Sequence, residues 1–251
     1  MRGGVPGRRS HARLIRRARR LSIAAAAREG GWLILAPHPD DETLGAGGLI
    51  AGLAATGGTA RVVFVTDGSG SHPDAPGWKP RRIANVRAAE ARAALRMLGH
   101  HAQPVMLGWR DAAPHAEGSP AFEASVRALV ALCRRERLSR VVASWDGDPH
   151  CDHEATARLA TAVAARLRVR PRFYCVWGWT VPDLDARLAS MRAVAISVAR
   201  WRGAQRRALA CHRTQMGGRI AGAAERFVLP RPMRRLVDAA HLILLEHQDA
   251  P

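Results

Sequence analysis

The sequence predicts an α/β protein, a Rossmann-like, mostly parallel sheet with helices on both faces. Two observations predict it. From residue 31 onward, apolar runs of five to seven residues alternate with longer stretches of helical period, the signature of strands joined by crossover helices. Acids and histidines also gather where those runs end, at the edge where open α/β sheets bind ligands.

The runs Trp32–Ala36, Ala60–Thr66, Pro104–Gly108, Arg140–Ser144 and Arg172–Trp177 are expected to be strands, with a sixth at residues 193–198. Their content of Val, Ile and Leu without alternation suits strands covered on both faces. Between them, Glu42–Ala55, Arg81–Leu98, Phe122–Arg137 and His153–Leu167 carry helical spacing. Upstream, Leu14, Ala18, Leu21 and Ala25 recur at helical intervals among Arg13, Arg16, Arg17 and Arg20. This reads as a basic amphipathic helix, either docked on the domain or lying on a membrane surface. Residues 200–235 lack a clear period and read as basic, loop-rich chain, and residues 233–247 read as a C-terminal helix. The expected organisation is a basic N-terminal arm, 1–28, and one α/β domain, 29–251.

Composition removes several function classes. With 47% hydrophobic residues the chain is not disordered, and no apolar run reaches the length of a spanning helix. Cys133, Cys151, Cys175 and Cys211 are widely spaced, as reduced thiols are, and not as a disulfide framework. The Arg8–Arg9 pair has only the seven-residue LSIAAAA run behind it before Arg28, too short for an export signal. A cytoplasmic location is expected, with membrane association as a further expectation. The formal net charge of +18 points first to nucleic acid or another anion. Yet residues 1–28 carry +9 and residues 200–235 another +9, so the remainder is neutral. A neutral sheet domain argues against specific nucleic-acid binding and leaves the basic flanks to attract an anionic ligand or surface.

The chemistry lies at three strand ends. The first reads Pro37-His38-Pro39-Asp40-Asp41-Glu42, the second Thr66-Asp67-Gly68, and the fourth Asp146-Gly147-Asp148-Pro149-His150-Cys151-Asp152-His153. His38 and Asp41 are three apart, as are His150 and His153, so in a turn entering a helix each pair can converge on one point. Imidazole and carboxylate together ligate Zn²⁺, Fe²⁺ and other divalent metals, which puts a metal site at the C-terminal ends of the strands. Four ligands would close the site, whereas catalysis normally keeps three and an open position. Spacing alone does not say which histidine is spare. Gly45 to Gly48 suggest a dinucleotide loop, but Ile50 breaks the required pattern.

HPDDE followed by Gly45-Ala46-Gly47-Gly48, then Thr66-Asp67-Gly68, Arg87-Ala88-Ala89-Glu90, His150-Cys151-Asp152-His153 and His212-Arg213-Thr214-Gln215 resemble the LmbE/PIG-L family of metal-dependent N-deacetylases. The resemblance runs from about residue 31 to 215. It implies that His38, Asp41 and His153 hold the metal, Asp40 is the general base, and a protonated His150, oriented by Asp152, faces the developing oxyanion. It also implies removal of acetyl from an N-acetylglucosaminyl conjugate, small or lipid-linked. Three positions depart from the family pattern: Cys151 replaces proline, Gln205 a basic residue, and Thr214 a serine.

Other residues stay open from sequence. Arg87 either contacts substrate or pairs with Glu90 on its own helix. Asp111, after the third strand, is a candidate acceptor for a sugar hydroxyl. Trp145, Trp177 and Trp179 either pack the core or stack on sugar. Two histidines and one carboxylate would equally suit an iron oxygenase, although the α/β alternation and the extra Asp40 speak against it.

Overall fold

The computed structural model describes residues 8–223 and 227–248; residues 1–7 of the basic arm, and Glu225 and Arg226 in the second flank, lie outside them. The chain runs α1 (Arg8–Arg17), β1 (Arg19–Leu21), α2 (Ile23–Arg28), β2 (Gly31–Ala36), α3 (Asp41–Ala55), β3 (Ala60–Thr66), α4 (Pro80–Met97) and β4 (Val105–Trp109). It continues with α5 (Pro120–Glu136), β5 (Leu138–Ser144), α6 (Cys151–Leu167), β6 (Pro171–Tyr174), α7 (Leu184–Arg187) and β7 (Met191–Ser197). The last elements are α8 (Arg202–Cys211), α9 (Arg231–Arg234) and β8 (His241–His247). The eight strands form one sheet in the order β1-β7-β8-β6-β5-β2-β3-β4, parallel except for β8, which is antiparallel to β6 and β7.

The strand order explains where a site can form. The chain moves from β2 outward through β3 to β4, then returns to lay β5 on the other side of β2. The crossovers on the two sides leave in opposite directions, and the crevice between them opens at the carboxyl ends of β2 and β5. Both histidine- and acid-rich segments begin there. Side chains of β2 alternate between two cores: Leu33 and Leu35 join the cluster containing Phe122 and Leu159, while Trp32 and Ile34 join that of Leu49 and Leu209. Helix α3 presses directly on the sheet because it lacks side chains where they would collide. A Cβ at Gly45 would enter the Tyr174 ring, so these glycines serve packing and not a phosphate loop.

Three expected segments are different in the structure. The arm is not one helix: α1 stops at Arg17, β1 pairs in parallel with the edge of β7, and Ser22 accepts the Ala25 N–H at 3.1 Å to start α2 afresh. Leu14 and Leu21 are buried in the cores, so the apolar stripe that a membrane-surface helix needs is already used. Arg13 meets Asp185 at 3.0 Å and Arg17 donates to the Leu188 carbonyl at 2.6 Å. The expected C-terminal helix over 233–247 is instead the short α9, a 3-10 turn and strand β8. Leu242–Leu245 is an unbroken apolar run, and a strand paired on both sides and buried on both faces accepts one where an exposed helix would not. The loop-rich reading of 200–235 is corrected at α8, whose Ala208 and Leu209 are buried, while the described residues between α8 and α9 form neither helix nor strand. Among the described residues, no helix is long and apolar enough to cross a membrane.

Some of the arginine excess is structural. Glu29 accepts from Arg172 at 2.6 Å, Arg140 at 3.3 Å and Arg19 at 3.5 Å, tying α2 to β5, β6 and β1. Burial pushes the Glu29 carboxyl up, but the hydrogen bond from Arg172 and the three positive charges bring it below its ordinary value of 4.5. Its stabilisation is therefore complete above pH 4.5 and lost as pH falls through the lowered native value. Glu29→Gln should cost about 1–3 kcal/mol and lower Tm by roughly 3–8 °C near neutral pH. The deficit should shrink in acid; a constant Tm difference across the acid limb would overturn this account.

Candidate functional site

Three segments supply the site. Leaving β2, the chain turns sharply through His38-Pro39-Asp40 into α3. Asp40 occupies the helix N-cap position at φ 141, a conformation costing a non-glycine residue about 1–3 kcal/mol. Two contacts hold it there: its backbone N–H donates to Glu42 Oε2 at 2.9 Å, and Arg87 Nη2 meets Asp40 Oδ1 at 3.3 Å. From β5, the loop through Asp148 delivers His150 as the N-cap of α6 and His153 in its first turn. From β4, Asp111 approaches the same point.

His38, Asp41 and His153 converge. His38 Nδ1 lies 3.1 Å and His153 Nε2 3.3 Å from Asp41 Oδ2. Ligands about 2.0–2.1 Å from one tetrahedral ion stand about 3.3 Å apart, so the spacing suits a shared metal. His153 Nε2 is buried and has no hydrogen-bond partner, a condition a metal would relieve. A carboxylate fixes the opposite nitrogen of each ring: Asp148 Oδ2 accepts from His153 Nδ1 at 2.9 Å, and Asp152 Oδ2 from His38 Nε2 at 3.0 Å. Each ring thus turns its lone pair inward, as metal-binding imidazoles do. His38, His150 and Asp152 form a second group within one ion's reach, but there His38 Nε2 is already engaged by Asp152.

The electrostatics favour positive charge at this point. Burial opposes charging either ring, yet the surrounding carboxylates prevail, raising His38 well above 6.5 and His153 to about 9. Burial drives the Asp40 carboxyl up to about 6 against the pull of Arg87. Asp111 is held well below the usual carboxylate range: burial opposes this, but His38, Arg87 and the Gly70 N–H outweigh it.

The structure revises several expected roles. Asp152 does not orient His150 through its carboxylate, which goes to His38 and to the Ala112 N–H. Instead, the Asp152 backbone N–H donates to His150 Nδ1 at 3.2 Å. That ring nitrogen must carry a lone pair, so His150 as held is neutral with its proton on Nε2, and not the imidazolium expected from sequence. Arg87 does not pair with Glu90. It is 3% exposed and donates to the carbonyls of Gly68 and Pro39, both at 2.8 Å, as well as to Asp40. Glu90 instead holds Thr214 and Arg219. Asp111 accepts from the Gly70 N–H at 2.9 Å and lies 3.3 Å from His38.

Sequence reasoning missed three residues. Asp148 accepts from His153 and from the N–H groups of Val176, Trp177 and Gly178, though five-residue spacing relates it to no helix face. Glu42, expected only to begin a helix, braces the Asp40 backbone, and His212 Nε2 meets it at 3.0 Å. Of the tryptophans, Trp145 and Trp179 are core. Trp177 lines the open cleft of about 680 Å³ above the site, with Phe227 beside it at 6.0 Å between ring centres. His38, Asp40, Asp41, Arg87, Asp111 and His150 all face that cleft.

The model of the PIG-L family, described as GlcNAc-PI de-N-acetylase, matches residues 33–164. The 1D-myo-inositol 2-acetamido-2-deoxy-alpha-D-glucopyranoside deacetylase of Mycolicibacterium vanbaalenii is 34% identical over 188 residues, 64% of this chain and 64% of that protein. Its namesake from Nocardia farcinica is 35% identical over 181 residues, 62% of this chain and 59% of that one. The chain thus spans about three-fifths of the length of these relatives. The solved N,N'-diacetylchitobiose deacetylase from Pyrococcus horikoshii aligns with TM-score 0.58 and 22% identity, covering 74% of this chain and 71% of its own. At that identity the likeness speaks for the fold.

Proposed function

Because the chain belongs to the PIG-L family, we propose that it is a metal-dependent hydrolase that removes the N-acetyl group from an amino-sugar conjugate. The observation that carries this reading is the convergence of His38, Asp41 and the buried His153 Nε2 beside Asp40 at the wall of an open cleft. A divalent ion held by His38, Asp41 and His153, Zn²⁺ first among the candidates, would acidify water and polarise the acetamide carbonyl.

The chain's own groups do the rest. Asp40, kept ionised by Arg87, accepts the proton of the attacking water as general base. His150 presents its Nε2–H to the amide oxygen as negative charge develops there. Protonated Asp40 then returns the proton to the departing amine, and the products are acetate and a free amino sugar. Asp152 and Asp148 are positioning residues that aim the two ligand imidazoles. Asp111 and Arg87 border the space for the sugar, with Trp177 and Phe227 as an apolar wall. The favoured substrate is a small-molecule conjugate, since the burial of Leu14 and Leu21 uses the apolar stripe of the described part of the arm, residues 8–28, within the core.

The test is a panel of N-acetylglucosaminyl compounds assayed for free amine with the metal-loaded protein and after chelation. Amine release that disappears on chelation and returns with Zn²⁺ or Fe²⁺ is expected. No release from any member, or release indifferent to chelation, would overturn the reading.

A further inference from the structure

Beside the catalytic cleft lies a second cavity, of about 650 Å³. It shares Gly70, Pro73 and Asp111 with the cleft, so the two are continuous along that wall. Three cations line it: Arg110, directly after β4, and Lys79 and Arg82 at the start of α4. Lys79 and Arg110 have no acidic partner among the described residues. Arg82 is braced, its Nη1 donating to the Gly77 carbonyl at 2.8 Å and its guanidinium lying 4.3 Å from the centre of the Trp78 ring. Of the two acids that line the cavity, Asp111 is engaged by His38 and the Gly70 N–H, which leaves Asp74. A shallower hollow continues past Lys79 and Arg82 to Arg81 and Arg219.

This cation cluster does not serve the stability of α4. The helix has no acid in its first turn and no side-chain cap, and cations beside the positive end of a helix dipole are unfavourable. Lys79 and Arg110, left without an acidic partner at the rim of a catalytic cleft, are placed to meet an anionic ligand. A phosphate monoester carries about −1.5 to −2 charges near neutral pH and accepts paired hydrogen bonds from a guanidinium fork, so three cations suit it better than a lone carboxylate.

We propose that this cavity is a subsite for a phosphate group on the substrate, seating the anionic part of the conjugate while the acetamide lies at His38, Asp41 and His153. The proposal rests on the deacetylase reading of the adjoining cleft. It also relocates the anion attraction expected of the basic flanks: of the residues around the two hollows, only Arg219 belongs to them. The same phosphate chemistry would serve a soluble phosphosugar or a lipid headgroup.

Calorimetry on the metal-loaded full chain separates these possibilities. The probes are N-acetylglucosamine, its 1- and 6-phosphates, inorganic phosphate, and vesicles with and without phosphatidylinositol. One phosphosugar should bind roughly ten- to a hundredfold tighter than the neutral sugar, a margin that narrows as salt rises. In Lys79→Gln/Arg110→Gln the margin should fall to about two or less, whereas the charge-matched surface pair Arg127→Gln/Arg134→Gln should keep it. Equal affinity for neutral and phosphorylated sugars, or loss of the margin in both double variants, would overturn the proposal. Vesicle binding through Lys79 and Arg110 that no phosphosugar competes away would replace it with a membrane-docking surface. Tight phosphosugar binding without amine release would sink the deacetylase reading and leave the subsite standing; equal turnover of neutral and phosphorylated sugars would do the reverse.

Discussion

Asp40→Asn should lower amine release by roughly 10²–10⁴-fold while leaving metal content and KM nearly unchanged. Asparagine keeps the size of the side chain and can still accept from Arg87, so the turn at Asp40 is preserved and only the proton acceptor is removed. The loss should therefore appear in kcat. Asp40→Ala would add the loss of the Arg87 contact and is less diagnostic. Glu42→Gln reaches the same step indirectly. A carboxamide at 42 still accepts from the Asp40 N–H, but its partnership with His212 changes. A decrease of about tenfold or less in kcat, with metal retained, is the expected signature of a group that acts through its neighbour. Substantial activity in Asp40→Asn, or loss of its metal, would remove Asp40 from the role of base.

His153→Ala should abolish both metal binding and amine release, because it deletes one of the three converging ligands. Asp148→Asn provides the graded counterpart. Its single amide oxygen can still accept from His153 and from the N–H groups of Val176 and Trp177, but an amino group replaces the oxygen that accepts from Gly178, and the charge that strengthens His153 as a ligand is gone. Metal affinity should fall about 10–100-fold, and activity should return as metal is raised. Titration of apo-protein with Zn²⁺ under a competing chelator reads both effects. If His153→Ala binds metal as tightly as the parent, the ion sits elsewhere, with the His38, His150 and Asp152 group the first alternative. Asp152→Asn would then cost more than Asp148→Asn, reversing the order expected here.

Most of the fold is legible in the sequence. Ala60–Thr66 is β3 to the residue, and the other early strands and helices lie within about two residues of their expected limits, because buried parallel strands and their crossover helices carry strong local periodicity. Elements whose character depends on a distant partner were not legible. Residues 19–21 form a strand because the edge of β7 offers backbone groups to pair with. Leu242–Leu245 is strand because β6 and β7 leave a slot between them. No local pattern records either vacancy.

The same division runs through the site. Sequence alone determined the chemical inventory: histidines and acids at the ends of adjacent strands, the trio His38, Asp41 and His153 once the family pattern was read, and Asp40 between them. Tertiary structure alone decided which carboxylate serves which imidazole. Asp152 lies one residue from His153 yet holds His38, across 114 positions of chain. His150 is set by a backbone N–H, which fixes its proton on the outward nitrogen. Glu42 meets His212 only because α8 packs against α3. The reason is physical: ligand type and strand-end position are properties of short segments, whereas tautomer, charge state and the resting place of each carboxylate follow from distances between segments that only folding brings together.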